Sequence, residues 1–98
     1  MIVMNSKLVS RVRAMEEDYN AVAEAVKALE EAVSGFEEVA DRVQRLSEYM
    51  DSGLWRRDFE ADEAGCLPSD LPRGVLSEDG LYNLQEDVEA LRARLKEL

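Results

Sequence analysis

The chain has 98 residues, 35% of them charged, and a formal net charge of −10; such a length holds one small domain with one thin core. So acidic a balance excludes phosphate-backbone binding, which needs a clustered basic face, and adsorption to anionic lipid. There is no histidine and Cys66 is the only cysteine, which removes Ser-His and Cys-His catalysis, the commonest transition-metal ligand and any intrachain disulfide.

The opening Met1-Ile2-Val3-Met4-Asn5-Ser6 is too short an apolar run for a signal peptide, and Lys7, Arg11 and Arg13 follow it instead of a hydrophobic region. No window approaches the length of a transmembrane helix, so a cytoplasmic protein is expected. From Leu8 the apolar positions run Leu8, Val12, Met15, Tyr19, Val22, Val26, Leu29, Val33, Phe36. Steps of four and three alternate, which places them on one narrow helical stripe, a heptad seam. This predicts a long helix over 6–33, roughly 40 Å at about 1.5 Å per residue, with Ser6 as N-cap. Lys7, Arg11 and Arg13 are expected to pair with the Glu-rich helices; they are too few for nucleic acid.

At Ser34-Gly35 the phase slips, and the next stripe is Phe36, Val39, Val43, Leu46, Met50. A stammer inside one helix and a tight αα-hairpin both fit. Because Gly costs about 1 kcal/mol in a helix interior, a kink or break is favoured, giving a second or continuing helix over 36–51.

Residues 52–76 form the connection. Ser52 is placed to cap a short helix from Leu54 to Ala64, with Gly65 at its C′ position. Leu54, Trp55 and Phe59 belong on its inner side, and so short a helix survives only if Trp55 and Phe59 dock on longer ones. Cys66, with no activating neighbour, is expected to be a small half-buried apolar residue and not a nucleophile. "LPSDLPRGVL" reads as an ordered turn with Leu67, Leu71, Val75 and Leu76 pointing inward. The last helix, 77–97, is expected to start from Ser77 as N-cap, with Glu78 and Asp79 in its first turn and Arg92, Arg94 and Lys96 towards its end, all matching the helix dipole. Its stripe is Leu81, Leu84, Val88, Leu91, Leu95, Leu98. Tyr82-Asn83 is expected to tie the helix to the loop by hydrogen bonds.

The fold class is therefore all-α: one domain over 1–98, a small bundle of two or three heptad-patterned helices with an ordered, partly helical connection. The long first helix has more apolar stripe than the rest of the chain can cover. A homodimer through Val12, Met15, Tyr19, Val22, Val26 and Leu29 completes it.

Chemistry is concentrated in Asp58, Glu60, Asp62 and Glu63, an oxygen-rich set of the kind that suits Ca²⁺, Mg²⁺ or Mn²⁺. The D-x-E-x-D spacing begins like an EF-hand and then fails, with Glu63 in place of the invariant Gly and Ser69 in place of the bidentate Glu. The structural reading has these carboxylates accept hydrogen bonds from backbone amides and from Arg56, Arg57 or Arg73. Trp55, Phe59, Tyr49 and Tyr82 can stack on a ligand, but aromatics at a helix junction are chiefly packing groups.

The stretch "SGLWRRDFEADEAGCLPSDLPRGVLSEDGLYNL" resembles the signature of a bacterial family catalogued as domain of unknown function 4298. That signature is a Trp, a D-F/Y-E-x-D-E-x-G run, a Leu-Pro, then G-V-L-S-E-D-G/A-L-Y-N-L. Here it falls on Trp55, Asp58-Phe59-Glu60, Asp62-Glu63, Gly65, Leu67-Pro68 and Gly74 through Leu84. "RVRAMEEDYN", Arg11 to Asn20, is similar to the family's first helix. The resemblance implies a small, helical, bacterial protein and brings no assigned activity with it. Taken together, the readings point to a non-enzymatic α-helical protein–protein interaction module that acts as a homodimer and carries no cofactor. The rival is a small divalent-metal-binding protein or metal-dependent enzyme using Asp58, Glu60, Asp62 and Glu63. A weaker third is an acidic decoy for a basic protein.

Overall fold

A computed structural model describes residues 5–98; the first four residues of the opening run Met1 to Ser6 lie outside them. The described chain is all-α, with α1 (Ser6–Glu38), α2 (Ala40–Asp51), α3 (Leu54–Glu63), a 3₁₀ turn at Gly74–Leu76 and α4 (Gly80–Lys96). It divides into two compact units, one ending at Val39 and the other running from Ala40 to Leu98.

The first unit is the single helix α1. Asn5, and not Ser6, is its N-cap: the Asn5 backbone is extended (φ −92°, ψ 116°) and its side-chain oxygen accepts from the amides of Lys7 (2.9 Å) and Leu8 (3.3 Å). Ser6 is already helical. The expected break at Ser34-Gly35 does not occur either. The helix runs through both residues, because a deficit of about 1 kcal/mol at one glycine is small beside the continuous hydrogen bonding of a long helix. It stops at Val39, whose N–H turns back to the Phe36 carbonyl (3.0 Å) in a tightened last turn. No residue of α1 is buried.

In the second unit α2 packs against α3 and α4, and the 3₁₀ turn packs against α3 and α4. The α2 stripe Val43, Leu46, Met50 is half-buried. Ser52 accepts from the Leu54 N–H (3.2 Å) and donates to the Tyr49 carbonyl (2.9 Å), closing the α2–α3 corner, where Gly53 takes φ 85° as the formal cap. At the far end of α3, Gly65 (φ 77°) is the expected C′ residue. Its N–H bonds the Asp62 carbonyl (3.0 Å) and the Cys66 N–H bonds the Ala61 carbonyl (2.9 Å), a complete Schellman motif.

The core is thin. Among the described residues the buried apolar side chains are Leu76 and Leu81, at the turn and at the start of α4. Leu67 is half-buried, while Leu54, Leu71 and Val75, expected to point inward, are exposed, and so is Cys66. With only four short packed elements, one side of each helix is covered and the shoulders of each stripe are left in water.

Candidate functional site

The signature stretch folds as a junction held by side-chain hydrogen bonds. Trp55 and Phe59, one turn apart on α3, stack with ring centroids 5.2 Å apart and an interplanar angle of 17°. The indole N–H donates to the Val75 carbonyl (2.8 Å), tying the 3₁₀ turn with its buried Leu76 to α3. This is the docking that so short a helix requires.

Arg73 is the second tie. Its guanidinium donates to the Asp62 carboxylate and, at 2.9 Å, to the Pro68 carbonyl. The planar fork lets one side chain join α3 to both ends of the proline-rich loop. The third is Tyr49 on α2, whose hydroxyl donates to the Asp58 carboxylate on α3. Burial first, and then that carboxylate, push the Tyr49 pKa from 10.0 up to about 12. On the far side of α2, the Gln85 amide donates to the Ser47 hydroxyl (3.0 Å) and links α4 to α2.

Of the four acidic candidates, Asp58 is taken by Tyr49 and Asp62 by Arg73, while Glu60 and Glu63 are exposed. No three carboxylate, cysteine or histidine groups among the described residues come together as a cation cage, so the metal alternative finds no support. Arg73 fulfils the expected role of arginine partner. Tyr49 was read only as a stacking or packing group, and nothing in local spacing links it to Asp58, since the two meet only when α2 and α3 fold together.

Ser77 is not the N-cap of α4. It closes the 3₁₀ turn, donating from its hydroxyl to the Gly74 carbonyl (2.8 Å), and α4 begins at Gly80 after Asp79. Gly80 explains the shift: a Cβ there would stand 2.1 Å from Ser77 Oγ, so the turn and the helix start share one space. Tyr82 is exposed and turned along its own helix, where the Glu86 carboxylate, as hydrogen-bond acceptor and nearby charge, raises its pKa. Lys7, Arg11 and Arg13 form no ion pair among the described residues, where the salt bridges are Arg45–Asp41 and Arg73–Asp62.

A cleft of about 310 Å³ opens between Met50, Trp55, Phe59 and Tyr82, edged by Glu78 and Asp79. It contains no nucleophile paired with a base. Four helices and a junction tied by Trp55, Arg73 and Tyr49 define a small all-α protein. Residues 12–97 match the family described as Domain of unknown function (DUF4298), and the chain belongs to that family. No curated protein and no solved structure matches the chain significantly. No helix among the described residues is long and apolar enough to cross a membrane.

Proposed function

We propose that the protein is a non-enzymatic helix-face interaction module that works as a homodimer through the seam of α1. The observation that carries this reading is the exposure of that seam. Val12, Met15, Tyr19, Val22, Val26 and Leu29 are all exposed, from 43% at Leu29 to 70% at Tyr19, yet they keep heptad spacing over some five turns. Spacing that strict has a purpose only if another helix packs on it. Covering each such side chain is worth about 1–2 kcal/mol. The junction supports the same reading from the other side, because Asp58, Asp62, Arg73 and Ser77 are engaged in holding the fold.

Sedimentation equilibrium tests the proposal. The wild-type chain should sediment as a dimer, and a Val22→Ala, Leu29→Ala double variant should weaken it by about a thousandfold, since each copy loses two seam residues. A stable wild-type monomer at every concentration would sink the idea.

A further inference from the structure

We propose that the second copy lies antiparallel on α1, with Tyr19 of each chain facing Val22 of the other. This deepens the homodimer reading and rests on it.

Charge is the first argument. α1 has no acidic residue in its first turn and no basic residue in its last. Instead Lys7, Arg11 and Arg13 occupy about the first two turns, and Glu30, Glu31, Glu37 and Glu38 crowd the end. Both ends oppose the helix's own dipole, which favours acids at the start and bases at the end. A second α1 running the opposite way turns each mismatch into a match, setting the cationic start of one copy beside the acidic end of the other. A parallel pair offers Arg11 to Glu16 of the second copy, but it also stacks two cationic starts, two acidic ends and two like-directed dipoles.

Shape is the second argument, and it comes from different residues. In the antiparallel register centred between Tyr19 and Val22, Met15 faces Val26 and Val12 faces Leu29. Every layer then sets one valine against one larger side chain, so the layers are of even thickness. In a parallel pair each residue meets itself, and the thick Tyr19 layer would sit directly beside the thin Val22 and Val26 layers. The same antiparallel register brings Arg13 near Glu30 of the second copy and Lys27 near its Glu16, all on one flank. None of these four forms an ion pair within its own chain among the described residues. The other flank carries Ala14, Ala21, Ala25, Ala28 and Ala32, with Arg11 and Asp18 among them, and its small side chains permit a close interhelical approach.

The test is disulfide exchange in the full chain carrying Cys66→Ser. Val12→Cys and Leu29→Cys proteins are mixed in a glutathione buffer and the covalent dimers weighed. The antiparallel dimer yields the mixed disulfide in about tenfold excess over either symmetric one, because sulfurs bridge only when their backbones are close. Prevalence of the symmetric Val12→Cys dimer overturns the proposal. A charge swap gives a second measure: Arg13→Glu and Glu30→Arg each weaken the dimer about tenfold, and the two in one chain restore it. In a parallel pair these positions lie about 25 Å apart along the axis, so a swap that fails to restore the dimer also overturns it. If the wild-type chain sediments as a monomer, the homodimer reading itself falls. If it sediments as a dimer that fails these tests, only the antiparallel arrangement falls.

Discussion

Tyr49 on α2 and Asp58 on α3 form a contact that depends on pH at the alkaline end. The folded Tyr49 holds its proton to about pH 12, above its ordinary value of 10.0. The unfolded chain therefore binds fewer protons than the folded one in that window, and stability must fall as pH rises from about 10 to 12. The contribution is intact below pH 10. Ultraviolet titration should show a tyrosine ionising near pH 12 that is lost in Tyr49→Phe, and the same substitution should remove its share of the alkaline decline; an unchanged decline would place the effect elsewhere. A second residue-scale prediction concerns Ser77 and Gly80. An alanine at Gly80 forces the Ser77 hydroxyl to turn away from the Gly74 carbonyl, giving up about 1 kcal/mol. The loss of glycine's extra freedom in the unfolded chain contributes a gain of similar size that opposes it. Gly80→Ala alone should thus change stability little, yet stabilise a Ser77→Ala protein by about 1 kcal/mol. Denaturant titration of the double-mutant cycle checks this, and strict additivity would show that the two residues do not share their space.

The same reasoning separates the glycines at the scale of elements. Gly35 sits inside α1 with open space where a Cβ would stand, while Gly65 ends α3 with φ 77°. Gly35→Ala should raise helix stability by about 1 kcal/mol, and Gly65→Ala should lower stability by about that much or more, both read from thermal unfolding by circular dichroism. The reverse order would contradict the helical path through Ser34-Gly35. The periodicity of the sequence located the helices and the role of Gly65, because burial on one face and a left-handed C′ residue are local requirements. It missed the caps of α1 and α4. Asn5 and Ser6 are equally able to cap, and the choice follows from which backbone is extended; Ser77 is engaged by a 3₁₀ turn that the Trp55 indole ties to α3. The slip in apolar phase was visible, but phase does not say which residue bears it, and Val39 does. Partners such as Tyr49 for Asp58 meet only across elements, so no window along the chain reveals them.

For the whole molecule, the two buried leucines set the terms. Because Leu76 and Leu81 are the buried apolar side chains among the described residues, unfolding one isolated chain exposes little apolar surface that was not already wet. The heat-capacity change per residue should be small, and the stability curve correspondingly flat. A continuous stripe of the apolar area that can still be withdrawn from water lies on the seam of α1, and an assembly withdraws it only by mass action. If the chain is stabilised by its own second copy, its melting midpoint climbs with protein concentration. The level at which a cell makes the protein is then itself a determinant of how much of it is folded.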